Sequence, residues 1–326
     1  MSRIGQAPGT LLVMGAGSVG CYLGGCLQAA GAPVSFVGRP RVLQALADHG
    51  LHLTDLDGGD HRLPPAALDL HPHVPSGLAP SLVLLCVKSP ATRDAALELG
   101  QRLPPGTPVL SMQNGVANAE IASAAAPALQ VLPGMVPFNI AEVGPGHYHR
   151  GTEGRLAAQA APALTPWPAW FARAGLPLTL HDDLRPLQWG KLLLNLNNPV
   201  NALSGLPLRA QLLDRHHRRL FADLVDEALS AMRAAGITPQ RLTPLPWAWL
   251  PTLLRLPTPL FRRLAASMLR IDAHARSSMA DDLAQGRPTE VDMLCGEVVR
   301  LAARLGRKAP CNAEMQARVE AASGHR

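Results

Sequence analysis

Leu11-Leu12-Val13-Met14 is an unbroken apolar run of the length of a central parallel strand, and it passes directly into Gly15-Ala16-Gly17-Ser18-Val19-Gly20. The mostly apolar stretch from Cys21 to Ala30, stopped by Gly31, predicts a buried helix, and Pro33 to Val37 predicts a second strand. Together these make one βαβ unit. Ser81 to Val87 and Val109 to Met112 are further apolar runs that read as strands. Met135 to Asn139, with the Gly144-Pro145-Gly146 turn, reads as a strand and hairpin closing the sheet. A Pro-rich stretch from Ala160 to Pro168 leads to a boundary near His181 to Arg185. From Leu187 onward the period becomes helical. The pattern predicts an α/β domain of the doubly wound, mostly parallel kind over residues 1–182, and an all-α domain over 183–326.

Several segments invite other readings. Ile4 to Gly38 contains no charged residue and resembles a signal peptide or a membrane span, but six glycines from Gly15 to Gly31 break it. A buried strand, tight turn and buried helix account for it better. Pro239 to Leu269 is rich in Pro and Leu and carries Trp247, Trp249, Arg241, Arg255, Arg262 and Arg263. Such a segment fits a membrane surface or a dimer interface, but an extra helical hairpin packed on its own domain is the preferred expectation.

At 326 residues the chain exceeds the size of one growing core, which agrees with two domains. The formal net charge of +6 comes from scattered arginines without interleaved aromatics, so no nucleic-acid partner is expected, and acidic metabolites suit the charge better. The five cysteines have no CxxC pairing, which argues against disulfides and a zinc site and for a reduced, cytoplasmic protein. The HxH pairs His71/His73 and His147/His149 have no third ligand at a recognisable spacing and are read as surface loop residues, so no metal is expected.

The chemistry concentrates in a few places. Between a strand and a helix, Gly15, Ala16, Gly17, Ser18, Val19 and Gly20 form a GxGxxG turn suited to a dinucleotide pyrophosphate. Where an NAD-binding unit places an acid on the ribose, this chain has Gly38-Arg39-Pro40-Arg41. Arg39 can pair with a 2′-phosphate, which predicts NADPH as cofactor. Lys88 and Asn114 follow later strands and can reach the nicotinamide side, although Asn114-Gly115 is also an ordinary turn dipeptide. Only three of the 30 basic Lys/Arg residues are lysines, and two of them, Lys88 and Lys191, lie in these segments. A lysine can be tuned to give up a proton and an arginine cannot, so Lys191 is the candidate proton donor, although chance also leaves few lysines in so Arg-rich a chain. Lys191, Asn195 and Asn198 are spaced for one face of a single helix, otherwise covered by leucines. Ser278 and Glu290 are candidate substrate contacts, with Glu290 expected in the first turn of a helix running to about Leu305. There it could equally serve only the helix dipole.

These motifs make the chain resemble the ketopantoate reductase family (2-dehydropantoate 2-reductases): GAGSVG with Arg39, Cys86-Val87-Lys88, Gln113-Asn114-Gly115, Trp189 to Asn195, and Arg276 to Asp292. The resemblance implies a Rossmann domain followed by a helical domain similar to that of 6-phosphogluconate dehydrogenase. It implies NADPH-dependent reduction of ketopantoate to (R)-pantoate, on the route to pantothenate and coenzyme A. Carried over, Lys191 is the general acid, Glu290 holds the substrate hydroxyl, Ser278 and Asn195 contact substrate, and Lys88 and Asn114 stand at the active end of the cofactor. The chain departs from the family where Asn198-Pro199 arrives one residue early and where Leu208 and Ala275 replace substrate-contacting asparagines. The alternatives are therefore a reductase of another small branched 2-keto acid or a non-catalytic NADP-binding protein. A homodimer through the helical domain is the partner expectation beyond the 2-keto acid itself.

Overall fold

The computed structural model describes residues 9–266, 269 and 275–324. The start of the uncharged lead, Ile4 to Pro8, and Ser267 and Met268 of the Pro/Leu-rich segment lie outside them. The chain divides into two compact units, Met1–Leu184 and Arg185–Arg326.

In the first unit, strand β1 (Leu11–Met14) leads into helix α1 (Ser18–Ala29), then β2 (Val34–Val37) and α2 (Pro40–His49). Strands β3 (Leu51–Asp55), β4 (Asp60–Leu63), β5 (Asp69–His71) and β6 (Leu82–Leu85) follow, then α3 (Thr92–Arg102), β7 (Pro108–Ser111), α4 (Asn118–Ala125) and β8 (Gln130–Met135). The unit ends with β9 (Ile140–Gly144), β10 (His147–Arg150), β11 (Leu156–Gln159), α5 (Trp167–Arg173) and β12 (Leu178–His181). The main sheet has the order β12-β11-β8-β7-β6-β1-β2-β5, and all its pairs are parallel except β8 with β11.

Every residue of β1 is buried, and alternation along it feeds two cores. Leu11 and Val13 pack with α1 and α5, whereas Leu12 and Met14 pack with α3 and α4, so helices cover both faces of the sheet. Helix α1 has its own glycine-lined bed. A Cβ on Gly24 would stand 2.6 Å from Val13 and 2.7 Å from Phe36, and one on Gly25 would stand 2.4 Å from Leu51 of β3.

Two expectations need correction. The strand expected over Met135 to Asn139 ends at Met135, and the hairpin at Gly144 does not close the main sheet. It joins β9 to β10 in a separate four-stranded sheet, β4-β3-β10-β9, where β10 runs parallel to β3. Its core residue Tyr148 packs inward from β10, and the long connection between β3 and β10 is invisible to local periodicity. The same sheet relocates His147 and His149 from a surface loop to alternate positions of β10, where both share the Thr54 hydroxyl at 3.1 and 2.9 Å.

The second unit is helical: α6 (Arg185–Asn195), α7 (Asn197–Ser204), α8 (Leu208–Leu213), α9 (Arg215–Ala234), α10 (Leu250–Arg255), α11 (Thr258–Leu264), α12 (Ser278–Ala284), α13 (Cys295–Arg304) and α14 (Pro310–Gly324). The described part of the Pro/Leu-rich segment packs on its own domain, α10 lying against α9. Arg255 pairs with Asp223 at 2.6 Å and Asp226 at 2.5 Å, both on α9. From α9, the fully buried Arg218 donates to the carbonyls of Leu212, Leu213, Leu254 and Leu256 and lies over the Phe261 ring. Among the described residues no helix is long and apolar enough to cross a membrane.

Candidate active site

The register of the main sheet brings four loops to one edge. Met14 pairs with Val37 and with Leu85, and Leu85 pairs with Ser111, so the chain leaves β1, β2, β6 and β7 at the same level. Main-chain hydrogen bonds continue past the strand ends: Gly15 and Ala16 donate to the Val37 carbonyl, Cys86 to Met14 and Met112 to Leu85. The carboxyl edge of a parallel sheet, between strands that lead off in opposite directions, is where such folds bind ligands. Here β1 lies between β2 and β6.

The three motif glycines do different work. Gly15 has φ of +110°, and a Cβ there would stand 2.5 Å from the Val87 nitrogen, so both the turn and the neighbouring loop require glycine. At Gly20 a Cβ would sit 2.1 Å from the Gly15 carbonyl oxygen. Gly17 is the opposite case, since nothing lies within 4 Å of where its Cβ would be. It is also the N-cap of α1 and supplies no side-chain cap, which leaves the first-turn N–H groups of Ser18, Val19 and Gly20 pointing out of a twelve-residue helix. An open backbone approach to a helix N-terminus fits a pyrophosphate.

Arg39 caps α2 just past β2, is exposed, and makes no ion pair among the described residues. Arg41 is 4.0 Å from Glu142. The residues present therefore fit a dinucleotide carrying a 2′-phosphate. Lys88 is exposed beyond the tip of β6, and Asn114 is half-buried beyond β7. Burial raises the Cys86 thiol well above its ordinary range, so the cysteine beside Lys88 is no thiolate nucleophile.

In the second unit, Lys191 and Asn195 are one turn apart on α6, as the spacing predicts. Gly190 lets this helix lie close to the segment that follows α9, since a Cβ there would be 2.4 Å from the Gln240 carbonyl oxygen. Asn198 does not share the helix. The helix stops at Asn195, and Asn198 belongs to α7. Pro199 explains the break: its nitrogen has no hydrogen for the Asn195 carbonyl, and its ring crowds that oxygen, whereas the first turn of a new helix tolerates it.

Glu290 is displaced in a similar way. It precedes a 3-10 turn over Val291–Met293, and α13 starts only at Cys295. The Asp292 carbonyl, which a continuous helix would use, accepts from Arg300 Nη2 at 2.8 Å instead. Glu290 thus stands outside the first turn of α13, and its charge acts on Lys191. Burial lowers the Lys191 ammonium from 10.5 to about 8, and the Glu290 charge opposes part of that fall.

Ser278 opens α12 and is exposed, and the adjacent Ser277 is the buried cap. Ser277 ties α12 to α7. Its N–H donates to Asn201 Oδ1 at 2.9 Å, and its hydroxyl donates to the Asn198 carbonyl at 3.3 Å. The main chains of Asn198 and Ser278 are thus held near one another despite a separation of 80 residues in sequence. Asn201, Ser277 and the reciprocal Asn197–Gln211 amide pair, 3.2 Å each way, were not singled out by sequence reasoning. Their only signal was an unusual density of amides in an apolar helical stretch. The two positions where asparagines are replaced are also adjacent, because Leu208 N–H donates to the Ala275 carbonyl at 2.8 Å. Among the described residues no group of three or more His, Cys, Asp or Glu could hold a metal ion.

Comparison with known proteins gives a consistent result. The family model described as ketopantoate reductase PanE/ApbA matches residues 11–163, and that of its C-terminal part matches residues 183–322. A 2-dehydropantoate 2-reductase of Halobacterium salinarum is 30% identical over 301 residues, covering 90% of this chain and 91% of that protein. One from Mesorhizobium japonicum is 27% identical, covering 92% and 93%. The crystal structure of a PanE/ApbA family ketopantoate reductase from Ralstonia eutropha JMP134 has a TM-score of 0.82 at 31% identity, covering 97% of this chain and 99% of that one. D-mandelate dehydrogenase, solved with NADH and anilino(oxo)acetate, has a TM-score of 0.80 at 18% identity over 97% and 98%, a likeness of fold alone. With both halves of the chain matched and the carboxyl-edge loops and the lysine helix in place, the chain belongs to the ketopantoate reductase family of oxidoreductases.

Proposed function

We propose that the chain reduces 2-dehydropantoate to pantoate with NADPH. The observation that carries this reading is Lys191, a lysine brought by burial to about 8 beside the carboxylate of Glu290, which makes it a proton donor matched to neutral pH. NADPH, when bound, supplies the hydride for the 2-keto carbon. The backbone N–H groups after Gly17 hold its pyrophosphate, and Arg39 pairs with its 2′-phosphate. Lys88 and Asn114 serve its nicotinamide end. As negative charge grows on the keto oxygen, the Lys191 ammonium stabilises it and delivers the proton, a role worth roughly 10²–10⁴-fold. Asn195, Asn198 and Ser278 bind the substrate, and Glu290 accepts a hydrogen bond from its hydroxyl. Domain boundaries at 182/183, cytoplasmic location and a homodimer belong to the same reading.

A second reading keeps the reaction and changes the substrate. The adjoining Leu208 and Ala275 create apolar surface where family members offer amides, which favours a 2-keto acid with a larger apolar group. Initial rates of NADPH oxidation with ketopantoate and with bulkier 2-keto acids separate the two readings. Arg39→Ala is expected to raise KM for NADPH by about 10- to 100-fold and leave that for NADH nearly unchanged. Equal losses with both cofactors would remove Arg39 from its role. Tight NADPH binding with no turnover of any 2-keto acid would leave a non-catalytic binding protein.

A further inference from the structure

Behind the carboxyl edge of the main sheet lies a chain of polar side chains that the proposed reaction does not use. Ser111, Gln113, Thr92, Asn118 and Ser89 are all buried, at between 0% and 7% exposure. The Ser111 hydroxyl donates to Gln113 Oε1 at 2.8 Å. Gln113 Nε2 donates to the Val87 carbonyl at 2.9 Å and to the Thr92 hydroxyl at 2.7 Å. Thr92 donates onward to Asn118 Oδ1 at 2.9 Å, and Asn118 Nδ2 donates to Ser89 Oγ at 3.0 Å and to the Asn114 carbonyl at 2.5 Å.

Every donor in this chain runs in one direction, so neither amide can be flipped without setting oxygen against oxygen. The chain also crosses from one loop to another. It grips the main chain at Val87 and the side chain at Ser89, on either side of Lys88, and it grips the main chain at Asn114. Two loops that needed only to be closed could have been packed with apolar side chains at lower risk.

We propose that Gln113, Thr92 and Asn118 are positioning residues that fix the spacing of Lys88 and Asn114 at the cofactor edge. This rests on the reading in which Lys88 and Asn114 serve the nicotinamide end. Thr92 joins the two amides, because its single hydroxyl both accepts from Gln113 and donates to Asn118.

The test is a double-mutant cycle in the full chain with NADPH and the best 2-keto acid. Thr92→Val preserves shape and removes both hydrogen bonds, and Thr92→Ser keeps the hydroxyl. Thr92→Val is expected to lower kcat about tenfold with a smaller change in KM for the keto acid, and Thr92→Ser to stay within about twofold of wild type. In a Lys88→Ala background the effect of Thr92→Val should shrink to about twofold, since no ammonium remains to be misplaced. An undiminished effect in that background, or a Thr92→Ser variant as impaired as Thr92→Val, would overturn the proposal in favour of a purely structural network. If Thr92→Val does not fold, Ser89→Ala, which removes one acceptor at the end of the chain, takes its place in the same cycle. Wild-type turnover tests the proposed reaction separately. If it is absent, the cycle is read on the Kd for NADPH by fluorescence, and additivity there refutes the network.

Discussion

With Lys191 as the proton donor, the rate depends on pH in a defined way. An ordinary lysine titrates near 10.5, so a reductase relying on one would hold its rate well past pH 9. Burial brings Lys191 to about 8, and Glu290 holds it from falling further. At that value about nine-tenths of the lysine is protonated at pH 7 and about one-tenth at pH 9. The kcat/KM for the keto acid, which reports groups of the free enzyme, should therefore fall about tenfold between pH 7 and pH 9, on a single-proton curve with its midpoint near 8. Glu290→Gln removes the opposing charge. Beyond any loss of rate, it should move the midpoint to lower pH. The assay is the initial rate of NADPH oxidation at subsaturating keto acid from pH 6 to 10, in both proteins. A flat profile to pH 9.5, or a midpoint that rises in Glu290→Gln, would refute Lys191 as a donor tuned by burial against Glu290. Stability follows with the matching sign. Because the folded value lies below the unfolded one, the folded state binds fewer protons between about pH 8 and 10.5, so this lysine's contribution to stability becomes more favourable as pH rises through that window.

Other outcomes follow from the packing. Gly17→Ala meets nothing within 4 Å and has φ of −97°, so it should melt like the wild type yet bind NADPH about tenfold more weakly. Gly20→Ala, whose methyl would lie 2.1 Å from the Gly15 oxygen, should lose stability itself. Thermal melts and NADPH titrations distinguish these, and equal behaviour of the two variants would count against the separate roles given to the glycines. Arg218→Met leaves four main-chain carbonyls without their guanidinium donor and should cost about 3 kcal/mol or more, a fall in Tm of roughly 6–12 °C. A calorimetric shift under about 2 °C would mean that those carbonyls find other partners.

The local order of strand, glycine turn, helix and strand was legible because its signals are local: an apolar run, a turn only glycine can make, and an apolar stretch ending in Gly31. The positions of Lys88 and Asn114 at strand ends were legible for the same reason. Lys191 and Asn195 stand one turn apart because four residues in a helix leave no choice. Asn198 was misplaced, although Pro199 carried the information that the helix must stop at Asn195. Glu290 could not be placed from its neighbours, because α13 starts only at Cys295 and the Asp292 carbonyl accepts from Arg300, eight residues further on. The second sheet depends on β3 meeting β10 with partners such as His52 and His147, 95 residues apart, and no periodicity reports such a pairing. Sequence alone thus determined the first strand-turn-helix-strand unit, the glycine turn and the identity of the chemical groups, since each follows from short-range sterics and side-chain chemistry. Tertiary structure decided which loops share an edge, the buried chain from Ser111 to Ser89, and the tuning of Lys191, because hydrogen bonding between distant segments and desolvation exist only once the chain has folded.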